Sequence, residues 1–474
     1  MRSMKTLFRV VVGLALVLTA VTTLTGCSSF DGEKVRAEHA RDYPKALAET
    51  TAQMISPAAP LGLEDCIRIA LENNLQVRSA EIQARIAKLD RKIAFANFLP
   101  QLSVSYSHYE FDPSLSIELS GEDPITIDKA RSFMWQANAS IFDPATWFLY
   151  SMRKRGAEIA DLVTDYTRQM TVLEVTIDYY QCLSLEENEK ALASELAAAV
   201  EMEKQLRNLS DEGLIRPWQA DQAGIAVQAR RIRRDQTRRS LTQAKANLLA
   251  ALGLSPLAEI TLRSETPLKP PVMRLEDLVL ETLLNNRQLQ ISDRNVEIQK
   301  EQVKIALADF LPKLFGFVYR PESLEDFGPS VDQWIYGLSG TMTLFNGFTN
   351  VNEYKAARHR REASFLEREQ ATLSVILEAM RAYLTVATTD EQVALARNAL
   401  NVATRRLAET EQQWHEGLVS SSDLLDVTAQ RDNARAQAIA ARFQHQVATA
   451  TLLNIMGRTK LDYEELDHDG QSGK

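Results

Sequence analysis

The sequence repeats itself, and this repeat limits the possible folds more than any other feature. The segment from Leu63 to Leu102 matches the segment from Leu275 to Leu314 without a gap. Three short motifs recur at equivalent positions: Leu63-Glu64-Asp65 and Leu275-Glu276-Asp277, Asn73-Asn74 and Asn285-Asn286, Phe98-Leu99-Pro100 and Phe310-Leu311-Pro312. Self-similarity of this kind predicts one structural unit built twice.

The match continues further along the chain with a shorter offset. Glu212-Gly213-Leu214 corresponds to Glu416-Gly417-Leu418, so the first copy carries extra residues between Ser103 and Ile141. Turn-forming residues in that stretch predict a longer loop there. They are Asp112-Pro113, Gly121 and Asp123-Pro124.

Each copy shows the same order of periodic patterns. Apolar residues at helical spacing predict a helix from Asp65 to Phe98, which stops before Pro100. The period then changes to two, which predicts two strands with one polar face, one from Leu102 to Ser107 and one from Trp135 to Ile141. A long helix from about Thr146 to Ser210, a turn at Gly213 and a helix from Trp218 to Leu252 complete the copy.

The second copy predicts a helix to Phe310, strands near 314–320 and 334–345, a long helix from about Asn350 to His415, and a last helix to Met456. Leu314 and Phe315 are both apolar, so the phase of the first of these strands stays open. The predicted division is a leader at 1–26, a linker at 27–60, a first repeat at 61–254, a Pro-rich connector at 255–274, a second repeat at 275–457 and a tail at 458–474.

The predicted lengths indicate how the helices pack. A helix from 146 to 210 is about 100 Å long, and the two shorter helices of the copy, each about 50 Å long, match it when stacked end to end. A rod of this shape has too little volume to bury its own apolar residues. We therefore expect rods to pack side by side as in a coiled coil.

The strands add a second constraint. Each has about the length that a tilted strand needs to cross an outer membrane, and alternating apolar and polar residues suit a wall between lipid and water. Four strands cannot close a barrel with a lumen, and an open edge in lipid leaves backbone groups unpaired. Several chains would then have to share one barrel. The alternative is a small soluble sheet that covers helix ends.

The first residues predict export. Arg2, Lys5 and Arg9 precede an apolar run at 10–20, and the run is too short to span a bilayer. Leu24-Thr25-Gly26-Cys27 resembles the bacterial lipoprotein box, in which the Cys is acylated and becomes the first mature residue. This resemblance implies a covalent lipid on Cys27 and, because Ser28 follows, an outer-membrane destination. The alternative is a plain signal peptide with a chance Cys.

Charge and motif content exclude several classes of protein. The chain carries 54 basic and 63 acidic side chains, a net charge of -9, which argues against nucleic-acid partners. The six His are scattered without metal-ligand spacing, and the sequence has no Gly-rich phosphate loop and no nucleophile motif. We therefore expect no enzyme activity and no metal site. The six arginines between 230 and 239 predict a helix face that is either solvated or ion-paired with another helix.

Taken together, the duplicated helix, strand pair, long helix, Gly-Leu turn and helix resemble the TolC-like outer-membrane efflux channels from Leu61 to Gly457. The resemblance implies a mostly α fold with a small transmembrane β part: a homotrimer with one 12-stranded barrel, continued through the periplasm by a long α-helical barrel. It implies a passive exit duct for small toxic compounds, coupled to an inner-membrane transporter through a periplasmic adaptor protein. An outlet for type I protein secretion and a non-conducting structural coiled-coil lipoprotein are the alternatives.

The resemblance also assigns site residues. It implies that the two turns contact the adaptor, through Gly213, Leu214 and Ile215 and through Gly417, Leu418 and Val419. The alternative is that each turn is a helix C-cap whose apolar residue packs within its own chain.

Asp423 and Asp426 follow Gly417 at the spacing of the family's pore-entrance aspartates, so the resemblance implies that they line a constriction. Three residues apart, they share a helix face. The alternative is that Ser422 and Asp423 only cap a helix start. The first copy has Gln219 in place of Asp423, which argues against a second acidic ring.

Overall fold

A computed structural model describes residues 30–55, 59–117, 125–264, 267–323 and 333–458. The predicted leader, Cys27 and residues 459–474 lie outside this part of the chain. Helix α1 (Gly32–Met54) comes first and is followed by two series of elements. The first series is α2 (Leu63–Asn73), α3 (Leu75–Ala96), β1 (Gln101–Ile117), β2 (Ile125–Phe142), α4 (Pro144–Asp211) and α5 (Pro217–Ala251).

The second series has the same order of helices and strands. It consists of α6 (Leu275–Asn285), α7 (Arg287–Ala308), β3 (Lys313–Ser323), β4 (Ile335–Thr341), α8 (Thr349–His415) and α9 (Ser421–Ile455). The two long helices, of 68 and 67 residues, confirm the predicted rods of about 100 Å. Within the described residues, no helix combines the length and the apolar character needed to cross a bilayer.

The structure divides one of the predicted helices into two. The stretch expected to run from Asp65 to Phe98 breaks at Asn74, which caps the start of α3. Its side-chain oxygen accepts hydrogen bonds from the backbone N–H groups of Gln76 and Val77, at 2.8 and 3.2 Å. Asn competes well for such positions because its short polar side chain replaces a missing backbone partner. Asn286 caps α7 in the same way, through the N–H of Leu289 at 3.0 Å.

The break lets the shorter helices of each series meet end to end, as the lengths predict. The Asn74 amide donates to the carbonyl of Ala251, the last residue of α5, at 2.8 Å. Gly253 follows in a left-handed conformation, with φ +71°, and a Cβ at this position would stand 2.5 Å from the Asn73 carbonyl oxygen. In the second series, Gly457 lies against Asn285 in the same manner, with φ +74°.

The main hydrophobic core lies where α5 meets α2 and α3, beside the middle of α4. Tyr179 of α4 is fully buried, and its hydroxyl is 3.1 Å from the Leu61 carbonyl and 2.5 Å from the Arg263 carbonyl. Leu61 in turn pairs with the connector through the Thr261 carbonyl at 2.9 Å. The surrounding buried side chains include Leu63, Ile67, Val175, Leu248, Leu249 and Leu252. The connector is therefore packed against the helices at the level of Tyr179, which we call the waist.

The four strands form one antiparallel sheet in the order β1-β2-β3-β4. The register confirms the alternation predicted for β1 and β2: Leu102 pairs with Ala137, and Val104 with Trp135, on one face. The predicted loop at Asp112-Pro113 is wrong, because β1 continues to Ile117 with a shift in register after Glu110. A bulge accommodates Pro, which cannot donate to the ladder. The other two turn signals fall at 118–124, outside the described residues.

The register also settles the phase of β3. Leu314 and Val318 pair with Gly340 and Tyr336 on the apolar face, while Phe317 lies on the polar face over Gly337. A Cβ at Gly337 would come within 2.9 Å of the Phe317 ring. Leu314 and Phe315, which are adjacent and both apolar, therefore point to opposite faces of the sheet.

Gly253→Ala tests the junction between α5 and α3. We expect the substitution to lower the free energy of unfolding by about 3 kcal/mol or more. The added methyl group would overlap the Asn73 backbone, and Ala is also unfavourable in a left-handed conformation. Gly213→Ala is the matched control, since Gly213 has φ +76° but nothing within 4 Å of the added Cβ, and should cost only about 1 kcal/mol. Thermal unfolding of the purified protein measures both. Equal losses would contradict the close contact.

Asp178 on α4 gives a pH prediction. Burial, with the neighbouring Glu174 carboxylate, raises the pKa of Asp178 to about 6. The folded protein therefore binds this proton more tightly than the unfolded chain, and stability falls as the pH rises from about 4 through 6. Asp178→Asn should stabilise the protein by about 1 kcal/mol at pH 7.5, less than the full shift because the side chain is partly exposed, and the gain should shrink towards pH 4. Glu201→Gln, an exposed site on the same helix, should leave the pH profile unchanged.

Candidate functional site

The two helical hairpins end in turns of the same geometry. After α4, the Gly213 N–H donates to the Ser210 carbonyl at 3.0 Å and the Leu214 N–H donates to the Leu209 carbonyl at 2.9 Å. After α8, Gly417 and Leu418 make the equivalent bonds, at 3.0 and 2.8 Å. This pair of bonds is the Schellman motif, which needs a left-handed residue after the helix, and Gly213 and Gly417 have φ +76° and +74°.

The turns present one exposed apolar side chain each. Leu214 is 68% exposed and Leu418 is 69% exposed. The next residues face inward: Ile215 packs against buried residues such as Leu206, and Val419 is half-buried. The predicted internal contact is therefore made by Ile215, and the two Leu side chains are free to meet a partner.

Asp423 belongs to a capping box at the start of α9. Ser420, rather than the predicted Ser422, is the N-cap, and its hydroxyl donates to the Asp423 carboxylate at 2.6 Å. The Ser420 backbone N–H also donates to Asp423, at 3.0 Å. These hydrogen bonds, with that from the Ser420 hydroxyl the largest cause, lower the pKa of Asp423. Asp426 is exposed on the same face one turn later.

The first series makes only one of these hydrogen bonds. At the start of α5, the Arg216 N–H donates to the Gln219 side-chain oxygen at 3.0 Å, and the Arg216 side chain makes no capping bond. Gln219 also donates to the Ser421 hydroxyl at 3.4 Å, which joins the two tips. A neutral Gln can therefore accept the backbone bond that Asp423 accepts in the second series, so this bond does not require a negative charge.

A buried ion pair near the tips involves one of the arginines that were predicted to be solvated or ion-paired, with a partner that the sequence did not indicate. Arg230 of α5 donates to the Asp432 carboxylate of α9 at 2.8 and 3.1 Å, with 12% and 6% of the two side chains exposed. Arg431 lies 2.9 Å from the other Asp432 oxygen. Burial, followed by the charge of Asp432, raises the pKa of the nearby Glu195. This cluster ties the two hairpins together just above their tips.

Among the described residues, no group of three or more His, Cys, Asp or Glu side chains is placed to hold a metal ion. Away from the tips, Cys66 and Cys182 are buried in the core that contains Tyr179, and burial raises the pKa of the Cys182 thiol to about 12.

Comparisons with solved structures show the fold. The CmeC outer membrane channel of Campylobacter jejuni superimposes with a TM-score of 0.75 at 15% identity, covering 87% of this chain and 89% of that chain. A membrane protein from Pseudomonas aeruginosa gives 0.74 at 16% identity, with 83% and 92% covered. CusC, whose structures concern transmembrane channel formation, gives 0.73 at 16% identity, with 84% and 92% covered. A search of curated proteins finds no match.

A family model matches the sequence in two segments. The model of the outer membrane efflux protein family matches residues 66–254 and 278–458, which together make up most of the chain. The two matched segments fall on the two series of helices and strands and leave the connector between them. The resemblance found in the repeated motifs is confirmed: the chain belongs to the outer membrane efflux protein family.

Proposed function

We propose that three copies of this chain form the outer-membrane exit duct of a tripartite efflux system. Their strands make one 12-stranded barrel in the outer membrane, and their helices continue it as a periplasmic tunnel. The lipid on Cys27 anchors the linker to the same membrane. The duct conducts small toxic compounds passively, with energy supplied by an inner-membrane transporter.

The observation that carries this proposal is the open sheet. In the described part of one copy, β1 and β4 form the two edges, and each has a partner on one side only. Backbone groups left unpaired in lipid cost several kcal/mol each, so a four-stranded sheet in a membrane needs further strands on both edges. Copies of the same chain supply them by symmetry.

The free ends of the helices suit the proposed contact with an adaptor. Leu214 and Leu418 stand out from turns that two backbone hydrogen bonds each hold in place, so little ordering is needed when a partner covers them. Preorganised apolar side chains of this kind are favourable contact points. Both lie at the end of the helices opposite the sheet, where a periplasmic protein would meet the duct.

Asp423 and Asp426 are the proposed constriction of this duct. Threefold symmetry would gather six carboxylates at the entrance, which attracts cations and repels anions. The hydrogen bonds from Ser420 favour the charged form of Asp423, so the ring keeps part of its charge in mildly acidic solution.

Conductance in planar bilayers tests the proposal. The double variant Asp423→Gln/Asp426→Gln copies Gln219 and Gln222 of the first series, so the helix cap should be retained while the charge is lost. We expect channels that open with a severalfold lower preference for K⁺ over Cl⁻, measured from the reversal potential in a KCl gradient. Asp221→Asn, which removes an exposed charge from α5, should retain the original selectivity.

Two outcomes would count against the proposal in different ways. Unchanged selectivity in the double variant would exclude Asp423 and Asp426 from the constriction. Absence of any channel activity from the purified parent protein would contradict the duct itself.

A further inference from the structure

The helix ends next to the sheet are basic, although the chain as a whole is acidic. The 12-residue ends of α3, α4, α7 and α8 that adjoin the strands carry 12 basic and 4 acidic side chains. The 12-residue ends of α4, α5, α8 and α9 that adjoin the two turns carry 5 basic and 9 acidic side chains. The first set of segments is 85–96, 144–155, 297–308 and 349–360, and the second is 200–211, 217–228, 404–415 and 421–432. Positive charge is therefore concentrated at the sheet.

Ion pairs within one copy do not neutralise this excess. On α7, both lysines of the segment next to the sheet pair with glutamates one turn away. Six other cations of these segments are exposed and form no ion pair within the described part of the chain. They are Lys92 on α3, Arg153 and Lys154 on α4, and Lys355, Arg358 and Arg360 on α8, and we call them the basic collar.

The apolar face of the sheet shows which side of the helices adjoins lipid. Phe142, the last residue of β2, pairs with Leu314 on that face. Its ring contacts that of Trp147 in the first turn of α4, edge to face with centroids 5.9 Å apart, and Trp147 is 50% exposed. Lys154 follows Trp147 by seven residues, or two turns, so both side chains lie on the same face of α4. Trp147 and Lys154 therefore continue the lipid-facing surface beyond the end of the sheet.

The second series repeats this arrangement. Phe348 caps the start of α8, is 64% exposed and contacts Phe345 with ring centroids 5.3 Å apart. Lys355 follows Phe348 by seven residues, as Lys154 follows Trp147. Aromatic side chains favour the boundary between hydrocarbon and headgroups. At the rise of a helix, each lysine backbone then lies about 10 Å further from the hydrocarbon than its aromatic residue.

The direction of the helices brings the collar side chains closer to the membrane. Both α4 and α8 begin at the sheet, and the Cα–Cβ bonds of a helix tilt towards its N-terminus. The five collar side chains on these two helices therefore lean towards the sheet. A headgroup layer is about 5 to 8 Å thick, and the long side chains of Lys and Arg can extend their charge to it from one or two turns away.

We propose that the basic collar binds the phosphate groups of anionic phospholipids in the periplasmic leaflet of the outer membrane. The first reason is charge, because each Lys or Arg near an anionic lipid surface raises the affinity about fivefold. The second reason is position, because the collar lies on the headgroup side of exposed aromatic residues. A zwitterionic phospholipid has no net charge and is attracted less. The inference rests on the proposed function only for the placement of the sheet in the outer membrane.

Electron paramagnetic resonance of spin-labelled lipids tests the collar. The full-length protein is reconstituted in phosphatidylcholine vesicles, and its lipid selectivity is the association constant of spin-labelled phosphatidylglycerol divided by that of spin-labelled phosphatidylcholine. We expect a ratio of about two or more for the parent protein. The collar variant should bring this ratio close to one, because it removes four of the six charges. Its substitutions are Arg153→Gln, Lys154→Gln, Arg358→Gln and Arg360→Gln.

The matched control removes four exposed arginines from α5, which does not adjoin the sheet. Its substitutions are Arg231→Gln, Arg233→Gln, Arg238→Gln and Arg239→Gln. The control changes the net charge by the same amount as the collar variant and should retain the parental ratio. Salt provides a second test without any substitution. The parental ratio should fall towards one as NaCl is raised from about 0.1 M to about 1 M, because the screening length shortens from about 10 Å to about 3 Å.

The outcomes separate the collar from the duct. A parental ratio near one, an unchanged ratio in the collar variant, or an equal loss in the control would overturn the collar, even in a protein that conducts. Lipid selectivity in a parent protein that never conducts would contradict the duct and leave the collar in place. If the collar variant does not insert, the parent protein decides alone, and a ratio that NaCl does not change would overturn the collar.

Discussion

Apolar surface that a single copy cannot cover governs this structure. The long helices are too thin to enclose a core along their whole length, so burial concentrates at the waist around Tyr179 and near the tips. Elsewhere, stripes of Leu and Ile on α3 and α8 stay in contact with water in one copy. The hydrophobic effect, at about 25 cal/mol per Å² of apolar surface removed from water, favours assembly wherever these stripes can meet.

The waist also explains how rods of this length keep their register. Asn74 and Gly253 form a joint at which α5 ends and α3 begins, and Asn286 and Gly457 form the corresponding joint at which α9 ends and α7 begins. Each joint combines a capping Asn with a left-handed Gly that no larger residue can replace without overlap at the first site. Two helices of ordinary length can thereby run beside a single helix of 68 residues.

Local sequence signals predicted much of this architecture. Periodicity predicted the long helices, the alternation of apolar and polar residues predicted the faces of β1 and β2, and Gly213 and Gly417 marked the turns. The break at Asn74 was not predicted, because the apolar period continues past the local cap and the Asn74 amide binds Ala251, far along the chain. Asp112-Pro113 was misread because a strand with a bulge tolerates residues that usually mark loops.

The roles of the candidate site residues stay predictions. The spacing after Gly417 identified Asp423 and Asp426, and the structure adds that Ser420 holds Asp423 while Gln219 replaces it in the first series. Ion pairing of Arg230 was one of two predictions for its helix face, but its partner Asp432 could not be predicted, because the two side chains are about 200 residues apart and periodicity does not connect them. Separation of the two hairpins would break the hydrogen bonds of this pair, and renewed hydration of the two charges would offset much of that loss.

The mass of the purified protein in detergent, measured by light scattering with the detergent contribution subtracted, tests the central claim most directly. Our account predicts a particle of three processed chains that withstands dilution, since each copy covers its neighbour's apolar flank. A stable, water-soluble single chain that keeps the same helices and sheet would contradict it.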